Sequence, residues 1–155
     1  MGIRIVAVGQ RIVDWADTAV RDYLGRFPRE FPVSLVEIRT EPRNGRTPAQ
    51  LMKAEAEHIL AKIEDDDWVV VLDEHGRDAT TMALARSVAA WRSDRREVVF
   101  VIGGPDGLAP EVKARANETM RLSAMTLPHA LARVLLSEQL YRAWSILAGH
   151  PYHRA

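Results

Sequence analysis

Four short apolar runs rich in β-branched residues punctuate this chain: "IRIVAV" (Ile3–Val8), "VSLVEI" (Val33–Ile38), "WVVVLD" (Trp68–Asp73) and "EVVFVI" (Glu97–Ile102). Runs of this length and kind are the signature of strands covered on both faces. Between them the period changes. Ala16, Val20, Tyr23, Leu24 and Phe27 recur at helical spacing, and Met52, Ala56, Ile59, Leu60 and Ile63 repeat the pattern behind a Thr47 N-cap and a Pro48 at the first helical position. Leu84, Val88 and Trp91 mark a third helix after the cap candidates Thr80 and Thr81, and "APEVKARA" (Ala109–Ala116) marks a shorter one. Strands alternating with helices predict an α/β fold, a mainly parallel sheet with helices on both faces.

The chain has 155 residues, the size of one domain, and neither a linker nor an internal repeat divides residues 1–155. No apolar run is long enough to span a bilayer, and "MGIRIVAVGQR" at the start lacks the h-region and cleavage site of a signal peptide. A soluble, cytoplasmic protein with no membrane partner is expected. The lack of cysteine removes disulfides, thiolate zinc sites and thiol redox chemistry. With 21 basic residues balancing 21 acidic ones, nucleic-acid binding through bulk charge is disfavoured, and an RNA substrate would have to be recognised locally.

The last helical segment, Pro128–Ala148, is apolar on two sides. Leu136, Leu140, Ala143, Trp144 and Leu147 form one stripe; Leu131, Val134 and Leu135 lie nearly opposite, where the face turns polar at Glu138 and Arg142. A helix of this kind needs two burial partners. One is the sheet, and the other is either a second copy of the chain, giving a homodimer, or further structure within the monomer.

Candidate ligand-binding loops follow the strands. "VVFVIGGPDGL" (Val98–Leu108) runs a buried strand into Gly103, Gly104, Pro105, Asp106 and Gly107. Parallel sheets bind ligands at the carboxyl ends of their strands, where glycine permits close approach to the backbone; a tight turn needing positive φ gives the same pattern. The loop is neither GxGxxG nor a Walker sequence, so ordinary dinucleotide or NTP binding gains no support. "VVVLDEHGRDAT" (Val69–Thr80) brings Leu72, Asp73, Glu74 and His75 to the same edge. Three adjacent side chains converge poorly on one ion, so Asp73–His75 read as a solvated loop rather than a metal site. "LSAMTLPHA" (Leu122–Ala130) offers small residues, a threonine and a proline able to wrap an adenosine with backbone hydrogen bonds. Finally "HPYHRA" (His150–Ala155) places two histidines, a tyrosine and an arginine in a chain end, where sequence is usually tolerant of change.

Together these stretches resemble the SPOUT class of RNA methyltransferases, in particular the large-subunit ribosomal RNA pseudouridine N3-methyltransferase family (RlmH type). The likeness rests on "VAVG" (Val6–Gly9), "DYLGRFP" (Asp22–Pro28), "IGGPDGL" (Ile102–Leu108), "LSAMTLPHALARVLLSEQLYRAW" (Leu122–Trp144) and "HPYHRA", and it covers essentially the whole chain. The resemblance implies an α/β fold whose C-terminal part is threaded as a trefoil knot, an exception to the rule that chains do not knot. It also implies S-adenosylmethionine bound by Leu72, by Gly103 and Gly104, and by Leu122, Ser123, Ala124, Met125, Thr126 and Leu127. It further implies a homodimer packed partly through the last helix. The implied substrate is N3 of a pseudouridine in helix 69 of large-subunit ribosomal RNA, within the assembled ribosome.

Methyl transfer from a sulfonium is an in-line displacement, and the proton on N3 must leave. A histidine near its ordinary pKa of about 6.5 and an arginine with fixed charge are the natural groups for that task. His153 and Arg154 supply them, with Tyr152 placed to stack on or hydrogen-bond the base, and the resemblance adds Arg142. In a dimer the tail can serve its own or the partner's pocket. Blander assignments stand beside these: Glu138 and Arg142 at i, i+4 can form a simple helix ion pair, and His129 can pack or cap the helix start. His150 and His153 are too few to hold a structural metal, and none is expected. The competing functions are a non-catalytic ribosome-binding factor that keeps the cofactor pocket, and a protein binding another adenine nucleotide.

Overall fold

The four apolar runs and a fifth strand, Glu118–Arg121, assemble into one five-stranded sheet. The computed structural model describes residues 1–10 and 12–154; Arg11 in the "MGIRIVAVGQR" segment and Ala155 at the end of "HPYHRA" lie outside the described residues. In chain order the elements are β1 (Ile3–Val8), α1 (Asp14–Gly25), β2 (Val33–Ile38), α2 (Pro48–Leu60), β3 (Trp68–Asp78), α3 (Thr81–Ser93), β4 (Val98–Ile102), α4 (Pro110–Arg115), β5 (Glu118–Arg121), α5 (His129–Ala148) and a terminal 3₁₀ turn, Pro151–Arg154. The strands lie in the order β2-β1-β4-β3-β5, and every pairing is parallel.

Side-chain alternation along the strands divides the core into two layers. Ile3, Ile5, Ala7, Val70, Phe100 and Ile102 face one way, onto Leu84 and Val88 of α3 and Leu136 and Leu140 of α5. Val6, Val8, Val69, Val71, Val99 and Val101 face the other way, onto Ala56 and Ile59 of α2 and Val112 of α4. Because both faces are covered, these strands carry apolar residues at nearly every position. The helix starts follow the sequence expectation. Thr47 caps α2 through a reciprocal capping box with Gln50, Pro48 occupies the first turn, and the Thr80 hydroxyl accepts from the Ala83 N–H at the start of α3.

Several boundaries differ from those read in the sequence. Phe27 lies beyond α1 and Ile63 beyond α2, although both still pack against the core. Strand β3 does not stop at Asp73 but runs to Asp78 through a bulge in which both Leu72 and Arg77 oppose Met120. The bulge throws Glu74 and His75 out to solvent while Gly76 presses on β5; a Cβ at Gly76 would lie 2.6 Å from the Met120 carbonyl carbon, so no side chain fits. Strand β5, "ETMR", is an edge strand with one buried residue, Met120, and so carries no apolar run for sequence inspection to find. On α5, Leu136, Leu140 and Ala143 are buried as expected, but Leu147 is 38% exposed although Trp144 and Ile146 beside it still pack against the core. The second apolar set, Leu131, Val134 and Leu135, is half-buried. Among the described residues, no helix is long and apolar enough to cross a membrane.

Arg133 ties α5 to the carboxyl ends of β1 and β2. Its guanidinium is 1% exposed, donates to Glu37 Oε2 (3.0 Å) and the Val8 carbonyl (3.1 Å), and also meets the Gly9 carbonyl. Gly9 takes φ +114° there, a conformation that favours glycine.

Candidate active site

The carboxyl ends of β3 and β4, the β5–α5 loop and the start of α5 enclose a cleft of about 620 Å³. The glycine loop forms one wall. Gly107 has φ +84° and folds back to bridge Gly104, which brings Leu108 under Gly103. A Cβ at Gly103 would sit 2.9 Å from the Leu108 side chain and 3.0 Å from the Gly107 backbone; one at Gly104 would sit 3.1 Å from Val8 Cγ1. Packing therefore leaves no room for a side chain at Gly103 and only tight room at Gly104, and the backbone they leave bare is available to a ligand. The opposite wall is the run from Leu122 to Pro128, in which the Met125 N–H is turned onto the Ser123 hydroxyl at 2.9 Å.

Of the residues assigned to the methyl donor, Leu72, Gly103, Gly104, Leu122, Ser123, Met125, Thr126 and Leu127 line this one cleft. Ala124 is exposed on the same loop and is not part of the lining. The structure also brings in residues that sequence inspection set aside. Asp73 lines the cleft and is bridged to Lys113 of α4 at 3.1 Å. Burial tends to raise its pKa, but the His75 N–H and the Lys113 ammonium more than offset that and hold it below the usual carboxylate value. Asp106 of the glycine loop receives Arg43 at 3.1 Å, so the polar segment before α2 leans on this wall. Met52, Arg121, His129 and Ala132 also line the cleft, and the exposed Glu74 and His75 stand at its edge. Only the spacing of Met52 on α2 hinted at an inward position; Lys113 and Arg121 carried no signal. Among the described residues, no group of three or more His, Asp or Glu side chains converges as a metal ion would require.

The tail occupies a different place. Gly149 in the left-handed conformation (φ 69°) ends α5, and Pro151–Arg154 folds back along the helix. The Tyr152 ring packs on Tyr141 at 4.7 Å between centroids, with the Arg142 guanidinium 5.1 Å from it. The Tyr152 hydroxyl donates to Glu138 Oε2 at 2.8 Å and lies 3.3 Å from the Tyr23 hydroxyl. Burial first, then these two hydrogen bonds, raise the Tyr152 phenol well above its ordinary value, so it remains a donor. Ring and hydroxyl are thus both engaged within the chain. Arg142, assigned to the site by resemblance, forms the alternative helix ion pair with Glu138 at 2.9 Å and also, with His153, lines a groove alongside Thr81, Gln139 and Ile146. Arg154 is exposed.

Among the described residues, cleft and tail do not meet within one chain. Ala132 borders the cleft, whereas Ser145 holds His153, about 20 Å further along α5 at a rise of about 1.5 Å per residue. Reacting atoms need to approach to about 3–3.5 Å.

A family model described as "Predicted SPOUT methyltransferase" matches residues 1–153. The chain belongs to this family. Among its relatives, proteins named ribosomal RNA large subunit methyltransferase H share 55% identity in Acidovorax ebreus (strain TPSY) and 54% in Variovorax paradoxus (strain S110), each over 99% of both chains. The protein of that name in Bordetella avium (strain 197N) is 51% identical over the full length of both. The structure of a probable methylase family protein from Haemophilus influenzae Rd KW20 superposes with a TM-score of 0.58, covering 99% of this chain and 70% of that one; at 18% identity the likeness speaks to the fold alone. The cleft volume lies within the roughly 300–1,000 Å³ typical of small-molecule sites.

Proposed function

We propose that the chain transfers a methyl group from S-adenosylmethionine to N3 of a pseudouridine in helix 69 of large-subunit ribosomal RNA, acting on the assembled ribosome in the cytoplasm as a homodimer. The observation that carries this is the convergence on one cleft of the residues the motifs assign to the donor, in a chain alike over its whole length to relatives named for ribosomal RNA methylation. The trefoil threading implied by the resemblance belongs to the same proposal.

The separation of cleft and tail favours a composite site, the cleft of one subunit closed by the tail of its partner. The half-buried Leu131, Val134 and Leu135 on α5 offer the apolar surface for that pairing. Gly103 and Gly104 would hold the donor through their bare backbone, with Leu72 and Leu127 on the walls beside it. When bound, the donor would supply a sulfonium methyl open to displacement by N3, with sulfur keeping the carbon–sulfur electron pair. His153 accepts the N3 proton, and Arg154 pairs with the developing negative charge on the base. Tyr152, Glu138 and Arg142 hold the tail in its folded-back position, with Arg142 also facing the groove.

The test is transfer of labelled methyl to purified assembled ribosomes that lack the modification, followed by mapping of the labelled nucleotide. Label at N3 of the helix 69 pseudouridine is expected. No label, with the donor still bound to the protein, would sink the proposal in favour of a non-catalytic ribosome-binding factor. Mixing His153→Gln with Gly103→Ala subunits tests the composite site. Statistical exchange in a two-fold dimer should restore about a quarter of parental activity, because half the dimers then hold one intact cleft facing one intact tail. A site built within one chain would restore none.

A further inference from the structure

Ser145 lies on the inner side of α5, fully buried, and its hydroxyl has three polar neighbours. The His150 carbonyl is 3.0 Å away, the His153 backbone N–H 3.2 Å, and the His153 ring nitrogen Nδ1 2.9 Å. A serine hydroxyl has one proton to give and two lone pairs to offer. The backbone N–H can only donate and the carbonyl can only accept, so two of the three partners are decided by their chemistry. If the serine proton points at the carbonyl, Nδ1 must carry a proton of its own, and every contact then has one hydrogen between its heavy atoms. If the serine proton points at Nδ1, two oxygen lone pairs face each other at 3.0 Å with nothing between them. Only the first arrangement satisfies the cluster.

We infer that Ser145 is a positioning residue that fixes His153 as the Nδ1–H tautomer, making Nε2 the atom that accepts the substrate proton. The left-handed turn at Gly149 makes this possible, because it carries the chain back so that both His150 and His153 reach a residue of the preceding helical turn. The His153 Nδ1–H is spent on a buried acceptor. The second ring nitrogen then remains for a ring that lines the groove with Gln139, Arg142 and Ile146. In this arrangement the serine does for the imidazole what a carbonyl or carboxylate does for many catalytic and metal-binding histidines: it decides which nitrogen has the lone pair. The inference rests on the assignment of His153 as proton acceptor.

The experiment is nitrogen NMR of the ring in the full-length protein at about pH 8, where an ordinary imidazole is neutral. His153→Gln identifies its signals among the five histidines. The parental protein should show His153 as the Nδ1–H form. In Ser145→Ala, a substitution that a helix interior tolerates, the ring should move toward the Nε2–H form, and kcat for ribosome methylation should fall at least about tenfold with KM within about twofold. An Nε2–H ring in the parental protein, or a tautomer ratio untouched by Ser145→Ala, overturns the inference whatever the activity. Full transfer by His153→Gln, with the Nδ1–H form still present in the parent, would overturn the proton-acceptor assignment instead, so the two failures are distinguishable.

Discussion

Arg133 gives the fold a vulnerable point whose strength follows from its surroundings. Its guanidinium is 1% exposed and is held by Glu37 and by the Val8 and Gly9 carbonyls, while Glu37 itself is 27% exposed. Arg133→Ala strands two carbonyls at about 1–3 kcal/mol each and leaves a void, while regaining the desolvation energy of the charge. Removal of one member of a buried charged set typically destabilises by about 3–5 kcal/mol, a large part of the roughly 5–15 kcal/mol available to a domain. At about 2–4 °C per kcal/mol for a chain this long, Tm should fall by about 10 °C. Arg133→Met keeps the stem and isolates the polar part, and should fall between Arg133→Ala and the parent. Glu37→Gln leaves the guanidinium on its two carbonyls beside a water-accessible amide and should cost about 1 kcal/mol. Urea and thermal unfolding followed by circular dichroism, at one protein concentration because dimerisation would shift Tm, measure all three. The reasoning fails if Arg133→Ala loses less than about 1 kcal/mol, as an exposed ion pair would, or if Arg133→Met is as stable as the parent.

Gly103→Ala should weaken binding of S-adenosylmethionine by at least about tenfold by calorimetry, because the new methyl displaces Leu108 and the Gly107 backbone that shape the wall; unchanged affinity would show that the wall is not the donor site. Glu55 is buried beside the glycine loop, where desolvation raises its pKa despite the Glu41 N–H that it accepts. Its native form therefore binds protons more readily than its unfolded form, and this residue's contribution to stability falls as pH rises through the interval from the ordinary to the raised value. Glu55→Gln should accordingly stabilise the protein at pH 7, with the gain shrinking on acidification, and urea titrations that show a gain growing toward low pH would reverse that sign. Gly149→Ala should cost about 1–2 kcal/mol and misdirect the tail, so that methyl transfer drops several-fold while donor affinity stays within about twofold; a parallel loss of donor affinity would contradict the separation of tail and cleft.

The four apolar runs and the helical spacing between them were sufficient to predict a parallel α/β sheet, because a strand buried on both faces has no freedom to be polar. The caps Thr47 and Thr80 were legible for a related reason: the unsatisfied N–H groups of a helix start demand a local acceptor, and only neighbours in sequence can supply it. The residues assigned to the donor came from motif resemblance, and the clustering of most of them follows from strand order, since β3 and β4 are adjacent and deliver Leu72 and Gly103 to one edge.

What escaped inspection depends on long-range contacts. Strand β5 has too little apolar content to announce itself, and it is a strand because β3 offers it a hydrogen-bonding edge. Asp73 looked like a solvated loop until α4 set Lys113 against it, and Arg133 sat unremarked within a helical motif although its charge is buried under three acceptors. Tyr152 looked free to stack on a base, yet the reversal at Gly149 lays it on Tyr141 and Glu138. Local periodicity, capping and glycine placement belong to the chain because they are settled over a few residues. Which charges pair, which hydroxyl orients His153 and how far the tail stands from the cleft belong to the tertiary structure, because each depends on residues brought together only when the sheet and α5 are in place.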